Sequence, residues 1–402
     1  MLDIWPALPL IIDATWFYPR RPVDNIVPAL KYTDRVCHIA IALLSPETLD
    51  RDLFLAAMQQ PFPELARLEL WWGEGLHETV VVPESFLGGF APRLEFLELE
   101  GIPFPGLPKL LLSATHLVTL HLTNIPHSGY FSPDAMIVAF SILTRLESLL
   151  LYFTSPESSP DLETRRLPPS TRSVLPVLTS FEFKGVTEYL EDLLTDIDAP
   201  QLNKMGIRFF NDSVFDTPQL IRFISRTPMS TALETAHIAV SADVAGISFR
   251  PQVHGHVELG VSILCEGLVW QLSSLEQVCT SCLPFLPTLG DLYINEVASS
   301  EPDWKDNIGN RPWLELLRPF TAMKNLYLSE KIALRIGPAL QEHVEGRTTE
   351  VFPTLENVFL EGLGPSGQVQ EGIGHFVATQ QVVGHRIAIS GWADPKKELF
   401  YW

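Results

Sequence analysis

Three groups of residues have the types and spacing for chemistry. The first, "GLGPSG" from Gly362 to Gly367, matches G-x-G-x-x-G, follows the strand-like "ENVFLE" and precedes the helix-like "QEGIGHFVATQQ". A dinucleotide needs that context, because glycines admit the pyrophosphate and a helix N-terminus favours its charge. Pro365 interrupts the loop, and only about 35 residues follow it, too few for further strand–helix units. The second group is "CTSC" at Cys279 and Cys282, with Cys265, His254 and His256 upstream. Three thiolates and an imidazole make a zinc set. A structural zinc module, however, pairs two close-spaced ligand pairs, and these cysteines fall in a helical pattern where Cys serves as a small buried residue. The third group is His38, His121 and His237, at strand positions that alternate outward, with no Ser or Cys elbow motif beside them. Carboxylates such as Glu69, Glu98 and Glu100 fit a solvated face. The expectation is no catalytic residue, no metal and no cofactor. A nucleotide-binding enzyme using the Gly362–Gly367 loop is the remote alternative.

The elements that position these residues belong to a chain of 402 residues, 46% apolar and 19% charged, able to bury a large core. It is too long for one compact globule unless the architecture is elongated. A net charge of -20 and a pI near 4.9 argue against a nucleic-acid groove or an anionic membrane as partner and suit a basic protein or peptide. No apolar run is long enough to span a membrane, Asp3 stands where a signal peptide needs positive charge, and four cysteines make no disulfide framework. The expected location is cytoplasmic or nuclear, or both.

The spacing Leu-x-x-Leu-x-Leu recurs. It appears as "VCHIAI" from Val36, "LARLEL" from Leu65, "LEFLEL" from Leu94, "LVTLHL" from Leu117, "LESLLL" from Leu146, "LTSFEF" from Leu178, "LNKMGI" from Leu202 and "LETAHI" from Leu233. "LGDLYI" from Leu289, "MKNLYL" from Met323 and "LENVFL" from Leu355 continue it. Successive starts lie 29, 29, 23, 29, 32, 24, 31, 56, 34 and 32 residues apart. The double-length gap predicts one degenerate unit, "HVELGVSI" near His256, between "LETAHI" and "LGDLYI". This is the leucine-rich-repeat signature: short strands that bury one apolar face only by stacking on one another.

Between strands, the segments from Thr187, Thr217, Cys265 and Ser329 carry helical periodicity, with Ser or Thr at candidate N-caps. "SPESSPDLETRRLPPS" predicts a loop instead. The expected fold is α/β: a leucine-rich-repeat solenoid, or horseshoe, with a parallel concave sheet, helices or loops on the convex side, and about twelve irregular repeats. One solenoid domain would span 1–402, with a capping unit at 1–35 and a cap or tail at 385–402. Ile102, Ile125, Val186 and Phe210 stand where regular repeats place an asparagine, so that ladder is absent and curvature is free to vary.

"LDIWPALPLII" from Leu2, "VDNIVPALKYTDRVCHIAI" from Val23, and the "FPELARLEL" and "FPTLENVFL" frames resemble the F-box/leucine-rich-repeat proteins of mushroom-forming fungi over nearly the whole chain. The resemblance implies repeats that select a substrate for a Skp–cullin–F-box ubiquitin ligase. A Skp-type adaptor would be a partner only if an F-box lies upstream, because no F-box-like helical segment precedes the first repeat. The alternative is a repeat-only interaction scaffold with no ubiquitin role.

Strand alternation places the residues between the consensus leucines on the concave face. The candidate partner-binding residues are Glu69, Trp71, Phe96, Glu98, His121, Tyr152, Lys184, Lys204, Arg208, Tyr293, Tyr327 and Phe359. Exposed aromatics beside charges have the composition of a protein interface.

Overall fold

The computed structural model describes residues 8–15, 25–43, 51–72, 81–156, 172–210, 215–231, 233–251, 258–265, 267–283, 285–296, 309–345, 352–363, 371–382 and 384–392. The fold is mixed α/β, its strands mostly parallel, in two compact units, Met1–Leu202 and Asn203–Trp402.

In the first unit the strands β1 (Leu10–Ala14), β2 (Val36–Leu43), β3 (Arg67–Trp72), β4 (Phe96–Glu100), β5 (Thr119–Ile125), β6 (Ser148–Phe153) and β8 (Ser180–Gly185) lie side by side in sequence order. All pair in parallel. Burial alternates along β3, β4, β6 and β8, as a side-chain period of two requires. Leu94, Leu97 and Leu99 are all under 5% exposed, and their counterparts Leu117, Leu120 and Leu122 likewise. Ladder partners follow the sequence frames: Arg67 pairs with Phe96, Phe96 with Thr119, Thr119 with Ser148 and Ser148 with Ser180.

The chain returns through α1 (Ile26–Ala29), α2 (Arg51–Ala57), α3 (Leu107–Leu111), α4 (Pro133–Phe140) and α5 (Thr187–Thr195). Only the last of these five was expected from periodicity; α1, α2 and α3 have seven residues or fewer, and α4, "PDAMIVAF", is apolar at nearly every position, so no one-sided period marks it. Two short segments on the return side, β7 (Ser173–Val174) and β9 (Ile197–Asp198), pair with each other. Thr217 stands at the N-cap position of its helix as expected, without a side-chain cap bond, but Thr187 does not. Ser132 caps α4 by accepting from the Ala135 N–H, whereas α5 starts after Val186, with Thr187 already inside it. The positions lacking asparagine are apolar plugs: Ile102, Ile125 and Val186 are buried. Just before Ile102, Gly101 takes φ +68°, and a Cβ there would stand 2.9 Å from the Trp72 carbonyl oxygen. Glycine is what lets the chain turn so close to the preceding rung.

The second unit contains β10 (Lys204–Phe210), α6 (Pro218–Ser225), β11 (Thr235–Val240), β12 (Val244–Arg250), β13 (Glu258–Leu264), α7 (Leu268–Cys282), β14 (Asp291–Glu296) and α8 (Arg311–Leu317). It continues with β15 (Asn325–Leu328), α9 (Glu330–Glu345), β16 (Asn357–Glu361), α10 (Glu371–Val382) and β17 (Ala388–Trp392). Its strand order is β10-β13-β12-β11-β14-β15-β16-β17.

This corrects two expectations. The sheet is not wholly parallel, because β12 runs antiparallel to both β11 and β13. The "LETAHI" and "HVELGVSI" rungs also exchange places: β13 lies beside β10, and β11 beside β14. The cause is the tight turn at Ser241–Val244. The Ser241 N–H donates to the Val244 carbonyl at 2.8 Å, and the Ser241 hydroxyl accepts from the Val244 N–H at 3.1 Å. The turn folds β11 back onto β12, and the chain then fills the skipped positions in reverse. From β13 it must pass about 14 Å, three strand spacings, to reach β14. The 15 residues of α7 rise about 22 Å and cover that step. Buried Gln271 on α7 donates to the carbonyls of Ser241 and Cys265, both at 3.0 Å, tying the helix to the reversed segment.

Candidate functional site

All twelve candidate residues lie on strands, at positions alternating with the buried consensus residues. In the first unit Glu69, Trp71, Phe96, Glu98, His121, Tyr152 and Lys184 are half-buried. The ladder sets Glu69 opposite Glu98, Glu98 opposite His121, and Tyr152 opposite Lys184. Adjacent rungs are joined by side-chain bonds. Trp71 Nε1–H donates to Glu98 Oε1 at 2.9 Å, Asn124 Nδ2–H to Glu100 Oε1 at 3.1 Å, and the Tyr152 hydroxyl to Glu182 Oε2 at 2.6 Å. Arg67 donates to Glu69 and holds its guanidinium 3.6 Å from the centre of the Phe96 ring. Phe96 also meets His121 in a T-shaped contact, ring centres 6.0 Å apart.

His121 Nε2 lies 2.9 Å from Ser148 Oγ, the spacing of a nucleophile and its base. Burial lowers the His121 pKa against the opposing pull of Glu98 and Glu182. Two parts of a nucleophilic site are missing at this pair. No carboxylate hydrogen-bonds the other ring nitrogen among the described residues, and the strand N–H groups that would form an oxyanion hole are spent in the sheet, Ser148 N–H on the Val118 carbonyl.

In the second unit Lys204 is exposed, and Arg208, Tyr293, Tyr327 and Phe359 are half-buried. The ladder aligns His237, Tyr293, Tyr327 and Phe359 at one level across β11, β14, β15 and β16. Their rings stack face to face, centroids 4.3, 4.1 and 4.4 Å apart and planes within 7° of parallel. Trp392, from β17, is tilted against Tyr293 at 5.8 Å and edge-on to Tyr327 at 5.5 Å. One level along, Asn357 Nδ2–H donates to Asn325 at 2.8 Å and Asn325 Nδ2–H to Asp291 at 2.6 Å. An aromatic stack thus runs beside an amide row.

His237 was not among the twelve candidates. It occupies the same frame position in "LETAHI" as Tyr293 in "LGDLYI", but the misplaced rung between them concealed their adjacency. Burial first, and Arg250 second, push its pKa down to about 4. Toward β10 the same level carries Ser248, Gly260 and Gly206.

On the helix side a cleft of about 500 Å³ lies between α7 and α8, lined by Glu276, Cys279, Thr280, Glu315 and Arg318 with Leu283 and Leu286. Burial and the neighbouring Glu315 raise the Glu276 pKa. Cys265 and Cys279 are buried thiols, and burial pushes Cys265 up to about 11. His254 and His256 lie outside the described residues, as does most of the Gly362–Gly367 loop, and the side chain of Cys282 is not described. No group of three or more His, Cys, Asp or Glu that could hold a metal occurs among the described residues. No described helix is long and apolar enough to cross a membrane. No protein-family model matches the chain, and no curated protein matches it.

Proposed function

We propose that the repeated units form a leucine-rich-repeat horseshoe whose concave strand face binds a protein partner, as in the substrate-selecting repeats of F-box proteins. The supporting observation is the band of half-buried aromatic and charged side chains, aligned rung by rung on one side of the strands, while the leucines fill the other. Rigid strands that fix aromatic anchors beside charges suit recognition of a folded or extended polypeptide.

Crosslinking of the full chain to a partner captured from its source cells tests this reading. Crosslinks should fall on the strand face and weaken on Trp71→Ala and Tyr327→Ala; crosslinks confined to the helices would overturn it. Association with a Skp-type adaptor would support the ligase role. A captured partner without adaptor association would favour an interaction scaffold with no part in ubiquitination.

A further inference from the structure

On β4, Glu98 and Glu100 are two residues apart and so project on one side of the strand, about 7 Å from each other. Each is held by a neutral donor, Glu98 by the Trp71 indole and Glu100 by the Asn124 amide. Neither has a cationic partner among the described residues, unlike Glu64 with Arg93, Glu69 with Arg67 and Glu84 with Lys109. The arrangement orients both carboxylates. The ladder also sets Glu69 directly opposite Glu98, a like-charge pairing that costs stability. On its other side Glu98 faces His121, whose charged form burial disfavours.

A second observation shows what this face accommodates. The Arg67 guanidinium sits against Glu69 and over the Phe96 ring, one rung from Glu98. Carboxylate and aromatic side chain together already hold a cation there, and Trp71 with Glu98 and Glu100 repeats the pairing with no cation supplied by the described residues. A planar guanidinium or an ammonium on an apolar stem is complementary to that pairing.

We propose that the strand face of the first unit docks a basic segment of the partner, an arginine or lysine of which enters between Glu98 and Glu100 beside Trp71. This rests on the protein-recognition reading above and names the chemistry that the face selects.

The test is a fluorescence-anisotropy titration of the full chain with a labelled peptide of alternating alanine and arginine, and with the same peptide carrying uncharged citrulline for arginine. The arginine peptide should bind at least about tenfold more tightly, and the Glu98→Gln/Glu100→Gln variant should lose that preference with a melting temperature no lower than that of the parent chain. Glu100→Gln alone, which leaves the Trp71 bond in place, should move the same way. A Glu64→Gln/Glu84→Gln variant removes the same charge outside the strands and should keep the preference. Equal binding of the two peptides, or equal loss in both double variants, would overturn the proposal; the second result would reduce the effect to net negative charge. If crosslinks place the partner on the strand face while the peptides bind equally, only the basic-segment inference fails. Crosslinks confined to the helices would remove the reading beneath it.

Discussion

Tyr189 stands inside an aromatic cluster, 4.8 Å from Phe153 and 5.9 Å from Phe183 between ring centres. Its hydroxyl is buried and finds no hydrogen-bond partner among the described residues, and burial holds its pKa well above the usual tyrosine value. An unpaired buried hydroxyl costs stability, so Tyr189→Phe should raise the unfolding free energy by about 1 kcal/mol, read as a higher urea midpoint at unchanged slope. His237 has the opposite kind of consequence, one that depends on pH. With a folded pKa of about 4 against an ordinary 6.5, the unfolded chain binds more protons between those values. Its contribution is therefore complete above about pH 6.5 and lost as pH falls toward 4, by up to roughly 3 kcal/mol. In His237→Phe, which keeps a ring in the stack and cannot titrate, the melting temperature should fall less between pH 7 and pH 4.5 than in the parent chain. An identical pH profile would place the acid sensitivity elsewhere.

At the scale of elements, the reversed segment β11–β12–β13 depends on a few polar contacts. Gln271 satisfies the Ser241 and Cys265 carbonyls from within a buried site. Gln271→Met, close in volume and unable to donate, should destabilise the chain by about 1–3 kcal/mol in chemical denaturation, because two buried acceptors lose their partner. The individual rungs were legible in the sequence. Leu94, Leu97 and Leu99 repeat a period that only a one-sided strand satisfies, and the helices after Thr187, Thr217, Cys265 and Ser329 follow from a 3.6-residue period. The strand β12 was not legible. "VAGISFR" carries no Leu-x-x-Leu-x-Leu frame, and it is buried along nearly its whole length, so alternation gives no sign of it. The sequence spacing left room for one hidden rung; the Ser241 turn made it two, in reverse order.

For the whole molecule, burial is graded from strand to strand within each unit. In the second unit β12 and β13 are buried on both faces, whereas β17 at the sheet edge is exposed along most of its length. In the first unit β1 occupies an edge and leaves Ile11 67% exposed. Native-state hydrogen exchange followed by mass spectrometry should accordingly find β4–β6 and β12–β13 slowest and β1 and β17 fastest. Uniform protection across each unit would mean that it opens all at once. The sequence by itself determined which residues share a strand face. Glu69 with Trp71, Phe96 with Glu98 and the later tyrosines follow from a period of two, a property of the backbone that needs no neighbour. Only the tertiary structure decided which rungs are neighbours and what their side chains do to one another. Arg67 is drawn over Phe96, neutral donors hold Glu98 and Glu100, and His237 joins the stack of Tyr293, Tyr327 and Phe359. Those contacts are made between residues tens of positions apart, and a local period carries no information about the order in which a chain returns to its own sheet.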